Sequence, residues 1–225
     1  MKEIVKIIPK PIKSILRPFY FYVRKLVVKP KSCAELYQYW RHPGDKYNAP
    51  ELYIYPVERS KFLLKFIKRY ADFQASILEI GCNVGRNLNY LFNAGYKELG
   101  GVEISQEALD LMKKTYPEMV GHIKIWNGPA EEVINGFRDN AFDLVFTMAV
   151  LEHIHSDSEF LFPEIVRITK RYLITIENEK GISWRHFPRN YKRVFEPLGM
   201  KQIEEFNCKE IKDFGLNSWV RVFTK

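Results

Sequence analysis

Ile77-Leu78-Glu79-Ile80-Gly81-Cys82-Asn83-Val84-Gly85-Arg86-Asn87 decides the fold of this chain. The aliphatic run Ile77 to Ile80 suits a strand covered on both faces. Gly81 and Gly85 let the backbone bend sharply and approach a ligand without an intervening Cβ. The amphipathic run from Arg86 to Ala94 supplies a helix whose free N–H groups point back at the turn, an arrangement suited to a small polar ligand. The turn lacks G-x-x-x-x-G-K-[ST], so it has no lysine and hydroxyl pair for a triphosphate. It also departs from G-x-G-x-x-G, because Asn83 stands at the second glycine position; asparagine tolerates positive φ.

Working outward, Leu99-Gly100-Gly101-Val102-Glu103-Ile104-Ser105 is a second strand ending in a carboxylate. An acid there can accept both hydroxyls of a ribose. Ser105 caps a helix through Tyr116, ended by Pro117. Ile123 to Trp126 is a third strand, followed by Asn127-Gly128-Pro129-Ala130-Glu131. Then comes Phe142-Asp143-Leu144-Val145-Phe146-Thr147-Met148-Ala149-Val150-Leu151-Glu152-His153-Ile154, a fourth strand and its exit, with Asp143 turning the chain at its start. Ser156 to Lys170 reads as a helix and Tyr172 to Ile176 as a fifth strand. A helix over 187–197 and strands over 200–208 and 218–224 complete the pattern.

Glu79-x-Gly81-x-Asn83-x-Gly85, the acid at Glu103 and the fourth-strand segment ending Val150-Leu151-Glu152-His153-Ile154 together resemble the class I S-adenosylmethionine-dependent methyltransferases, over about residues 60–225. The resemblance implies an α/β, doubly wound, seven-stranded, mostly parallel sheet of order 3-2-1-4-5-7-6, the last strand antiparallel, with helices on both faces. It implies S-adenosyl-L-methionine as cofactor, S-adenosyl-L-homocysteine as product, and a Rossmann-like cofactor site. In that site Glu79 would meet the methionine ammonium, with Gly81 and Gly85 leaving room for the methionine and Asn83 a further cofactor-binding residue of the turn. Glu103 would hold the ribose hydroxyls, while Ile104 and Ala130 pack the adenine and Met148 offers its backbone carbonyl. The family usually has an aspartate where Pro129 stands, so Glu131 or a backbone carbonyl would have to accept from the adenine amino group.

Composition bounds the rest. With 225 residues, 46% hydrophobic and 28% charged, the chain is long enough for one domain with an appendage and has ordinary globular values. Cys33, Cys82 and Cys208 form neither a disulfide framework nor a C-x-x-C, and no histidine spacing signals a metal, so none is expected and a reducing cytoplasm fits. The net charge of +8 is concentrated: residues 1–31 hold nine of the lysines and arginines against Glu3 alone, and the remainder balances. Residues 1–30 thus read as a basic amphipathic arm, its apolar stripe Ile12, Ile15, Leu16, Phe19, Val23, Leu26 and Val27 interrupted by Pro18. It could dock on the protein or a partner, lie on an anionic membrane at the inner face, or tether nucleic acid. Its apolar runs are too short to span a bilayer. Residues 31–59 form an aromatic-rich cap or linker, and 60–225 the cofactor domain.

A methyl sulfonium is already electrophilic, so the protein's task is to align a nucleophile. His153 and His186 are the candidate bases for an oxygen nucleophile. The segment 177–191 is the expected substrate loop, with Trp184, Arg185, Arg189 and Tyr191 as its binding residues. Three functions are open: methylation of a small molecule or glycan at a hydroxyl, with a membrane-associated acceptor in view; methylation of nucleic acid or protein; and a non-catalytic cofactor-binding subunit. Thr147-Met148-Ala149-Val150 stands where amino-group methylases of bases carry N/D-P-P-Y/F, which counts against the second. Oligomeric state is not readable from this chain.

Overall fold

The computed structural model describes residues 28–43 and 47–225. The basic arm falls almost entirely in residues 1–27 and so lies outside the described residues, as does Gly44 of the expected cap. Among the described residues, two α-helices precede the sheet: α1 (Cys33–Arg41) and α2 (Val57–Tyr70). The core is β1 (Ile77–Ile80), α3 (Arg86–Asn93), β2 (Leu99–Glu103), α4 (Gln106–Thr115), α5 (Pro117–Val120), β3 (Lys124–Asn127), α6 (Ala130–Val133), β4 (Phe142–Met148), α7 (Leu161–Ile168), β5 (Thr169–Asn178), α8 (Tyr191–Phe195), β6 (Lys201–Asn207) and β7 (Ser218–Thr224). Strand order is β3-β2-β1-β4-β5-β7-β6. All neighbours pair in parallel except at β7, which runs antiparallel to both β5 and β6.

The central strands are buried on both sides, and their alternation divides the core in two. On one face Ile77, Leu144, Phe146 and Ile174 meet Phe62, Leu63, Phe66 and Ile67 of α2 and Leu88 and Leu91 of α3. On the other, Leu78, Ile80, Val145 and Leu173 meet Leu161, Phe162, Ile165 and Ile168 of α7 with Tyr191 and Phe195 of α8. Such packing leaves only the strand ends free for a ligand. β1 gives way to β4 on one side and β2 on the other, so the order reverses beside its carboxyl end and a crevice opens there.

Four elements differ from expectation. The helix expected over Ser156–Lys170 is a single 3-10 turn at Ser156–Ser158 followed by α7. Pro163 has no N–H to give and is accommodated only in a first turn, so the helix starts at Leu161. β5 then begins at Thr169, longer than the expected strand, its hydroxyl donating to the Ile165 carbonyl at 2.7 Å as the helix ends. The helix expected from Phe187 begins at Tyr191, because the Asn190 side chain caps it by accepting from the Arg193 N–H. The third strand is shifted by one residue, to Lys124–Asn127.

Candidate active site

The turn after β1 is pinned by backbone and by Glu103. The N–H groups of Gly81 and Cys82 donate to the Val102 carbonyl at 2.8 and 3.0 Å. Glu103 Oε2 accepts from the Asn83 N–H and Oε1 from the Ser105 N–H, both at 2.8 Å. Each carboxylate oxygen thus keeps a further lone pair while its orientation is fixed. Asn83 takes φ +47° and Gly81 φ +72°. Gly85 also has positive φ, but a Cβ there would lie 2.9 Å from Met112 of α4. Gly85 therefore serves helix packing and does not line the crevice, a correction to the role expected for it.

Glu79 is held from the other side. Its Oε1 accepts from Asn87 Nδ2 at 2.7 Å, whereas Oε2 is buried without a partner among the described residues. Burial pushes its carboxyl up to about 8. The Asn87 carbonyl oxygen accepts from Ser60 Oγ at 2.6 Å, and Ser60 Oγ accepts from Arg86 Nε at 2.8 Å. Arg86 also donates to the Tyr53 carbonyl at 2.7 Å, so this buried chain anchors α3 to α2 and to the segment before it. Arg86, Asn87 and Ser60 carried no functional expectation; a periodicity argument has no means of pairing two helices' polar residues.

One cavity joins these groups. Glu79, Gly81, Asn83, Glu103, Ile104, Pro129, Ala130, Glu131, Met148 and His153 all line it. The two acids thus face a common space at adjoining strand ends. Leu36, Tyr37 and Trp40 of α1 roof it, and α1 is started by a reciprocal cap between Ser32 and Glu35. Tyr47 and Tyr55, also part of the aromatic segment, point to solvent instead. Ala149 lines the cavity with φ +56°, where a bulkier side chain would be strained. Burial raises the pKa of the Glu131 carboxyl, against the opposing influence of the nearby Tyr37 and Ser158 hydroxyls. Cys82 is a buried thiol pushed well above its ordinary range by burial, which keeps it an inert packing group.

The segment after β4 adds Val150, His153 and Ile154 to the wall of this cavity. The Trp40 ring sits 4.7 Å from that of His153, and the His153 and His186 rings are 4.6 Å apart. His153 Nδ1 is 2.8 Å from the Arg185 carbonyl, so Nδ1 carries the hydrogen. Burial holds His153 down to about 4, and it is neutral at pH 7. Glu152 and Glu177 form a buried acidic pair behind it: Glu177 accepts from Thr147 Oγ1 at 2.7 Å and from the Val150 and Glu152 N–H groups.

The expected substrate loop is more structural than its composition suggests. Arg189 donates through Nη1 to the Ile154 and Phe187 carbonyls and pairs through Nε with Glu159 at 3.0 Å, so most of its guanidinium is spent on holding the loop. Tyr191 is fully buried in the core beside Phe195, which removes it from substrate contact. Arg185 donates to Asn48 Oδ1 at 2.9 Å and stands among the rings of Tyr39, Trp40 and Trp184. Trp184 packs edge-on against Tyr39. Arg185 and Trp184 brace the aromatic roof and do not themselves line the cavity.

Residues 78–172 match the family described as a methyltransferase domain. Phosphoethanolamine N-methyltransferase 2 of Caenorhabditis elegans is 29% identical over 119 residues, covering 50% of this chain and 26% of that protein. The chain thus spans about a quarter of the curated relative it matches. Among solved structures, magnesium protoporphyrin IX methyltransferase from Synechocystis PCC 6803 with bound SAH superposes with a TM-score of 0.67 at 12% identity, over 86% of this chain and 100% of that one. The 4+2 cyclase SpnF superposes at 0.62 with 13% identity, over 74% and 81%. Likenesses at these identities establish the fold.

Proposed function

We propose that this chain is a class I S-adenosylmethionine-dependent methyltransferase that moves a methyl group to a hydroxyl of a small molecule or glycan, a reading supported by the methyltransferase-domain match over residues 78–172. The supporting observation is that Glu79, Glu103, Trp40 and His153 line one cavity. The cofactor fits the residues present. Glu79 Oε2, buried and unpartnered, suits the methionine ammonium; the fixed Glu103 carboxylate suits the ribose hydroxyls; Ile104 and Ala130 supply apolar walls for the adenine. Bound there, S-adenosylmethionine supplies an electrophilic methyl group and leaves as S-adenosylhomocysteine. The chain's own task is to exclude water under α1 and to orient the acceptor against that group. A roofed cavity favours a small acceptor or the end of a glycan over a folded macromolecule.

An amine acceptor is the second reading. Tyr37 and Trp40 present rings to the cavity, surfaces that attract ammonium groups, and the curated relative is named as an N-methyltransferase. Cytoplasmic location belongs to the same proposal; among the described residues no helix is long and apolar enough to cross a membrane. The basic arm would hold the enzyme to an anionic lipid surface bearing its acceptor.

Incubation with 13C-methyl-labelled cofactor and fractionated cell extract tests the reading. Label should enter the small-molecule or glycolipid fraction, and its carbon shift separates O-methyl from N-methyl products. Label confined to protein or nucleic acid rejects the acceptor class, and no transfer with intact cofactor binding supports a non-catalytic subunit. Removal of residues 1–27 should abolish sedimentation with anionic vesicles; unchanged sedimentation eliminates the lipid role.

A further inference from the structure

We propose that Glu152, His153 and His186 form a divalent transition-metal site in the wall of the cavity. Glu152 Oε1 lies 3.8 Å from His153 Nε2 and 3.4 Å from His186 Nε2. All three atoms fall within 4.8 Å of one another. Ligands bound to one ion at about 2.1 Å stand roughly 3 Å apart when adjacent, so shifts of about 1 Å would close the set.

The rings are already turned for that purpose. His153 gives its Nδ1 hydrogen to the Arg185 carbonyl, and a carbonyl can only accept, so Nε2 presents a lone pair. His186 Nδ1 is 2.5 Å from Ser183 Oγ, a hydroxyl that also accepts from the Arg185 N–H. When His186 donates through Nδ1 to Ser183, two imidazole lone pairs and a carboxylate oxygen converge with no donor between them; in its other tautomer Nε2–H points at Glu152 Oε1, and a metal ion would take the place of that hydrogen. The first arrangement repels itself unless a cation or an added proton sits at its centre. A ring that donates its second N–H to a carbonyl or hydroxyl is the usual outer support of a metal-bound histidine.

The carboxylate is supported as well. Glu152 Oε2 accepts a very short hydrogen bond from the Asn178 N–H, which aims Oε1 at the histidines. Two imidazoles and one carboxylate suit Zn2+, Mn2+ or Fe2+ and leave coordination positions open. His153 lines the cavity while Glu152 does not, so an open position would face the acceptor. A cation there would hold an acceptor hydroxyl and lower its pKa, the proton leaving to water. That use rests on the hydroxyl-acceptor reading above; the binding itself does not. The sequence carried no metal spacing because His186 reaches the site from the loop after β5.

The full-length chain, stripped with chelator and titrated with Zn2+ or Mn2+ alone in a calorimeter, provides the test. One equivalent should bind, and Glu152→Gln and His186→Ala should each weaken it at least tenfold. His186 is the safer variant because its side chain is partly exposed; S-adenosylmethionine affinity measured on the same samples checks that each variant is folded. Co2+ added to the wild type should give visible d–d bands that His186→Ala loses. No stoichiometric binding, or binding unchanged by both variants, overturns the site. Metal binding without cofactor binding would keep the site and reject the function proposed above; the reverse would reject the site alone.

Discussion

Glu79 is the residue whose chemistry is most exposed to test. Its carboxyl sits near 8 in the ligand-free chain against an ordinary value of 4.5, because burial disfavours the charge. Between those two values the folded chain holds a proton that the unfolded chain has lost. Glu79 therefore makes the ligand-free protein less stable as pH rises from about 4.5 to about 8. A cationic ammonium beside Oε2 requires the ionised form, so binding the cofactor below pH 8 should release up to one proton. Affinity should climb with pH through 6 and 7, by at most tenfold per unit, and level near 8. Calorimetry in buffers of different ionisation heat would count that proton. Glu79→Gln should bind weakly with little pH dependence, and zero proton release by the wild type would remove Glu79 from the ammonium.

At the scale of the element, the turn between β1 and α3 explains why its glycines differ in task. Gly81 faces the cavity, and a Cβ there would lie 2.3 Å from Val150 Cγ2. Valine is stiff at χ1, so the turn itself would have to move. Gly81→Ala should lower cofactor affinity at least tenfold. Adding Val150→Ala should recover the part due to contact and leave the cost of positive φ, about 1–2 kcal/mol. Full recovery, or no loss in the single variant, would show that the turn tolerates displacement. The spacing of Glu79, Gly81, Asn83 and Gly85 made this turn legible, because short-range backbone needs restrict residue type. It could not separate Gly85, whose lack of a Cβ lets α4 approach, from the residues that meet the ligand.

Across the whole molecule, the far edge of the sheet holds the histidine loop in place. Arg221 of β7, buried, pairs with Glu179 at 2.5 and 2.9 Å and with Glu205 of β6 at 2.7 Å. Glu179 in turn accepts from the Tyr191 N–H and Asn190 Nδ2, joining the loop after β5 to α8. Arg221→Met would strand a buried carboxylate, a loss of about 3–5 kcal/mol. The melting temperature should fall by about 10 °C. A fall of only a degree or two in differential scanning calorimetry would show that the network is replaceable.

What the sequence determined by itself was everything governed by near neighbours: seven strands from their apolar runs, the bend after Ile80, and an acid at the end of each of the first two. Those features depend on backbone geometry and burial period, which act over a few residues. The tertiary structure alone decided that Arg86 reaches Glu79 through Ser60 and Asn87, and that Arg189 and Tyr191 are committed to the interior. It also decided that His186 meets Glu152 and His153. Ser60 and Arg86, and likewise His186 and Glu152, belong to segments far apart in the chain, and only the packing of elements side by side brings such side chains within a few ångströms.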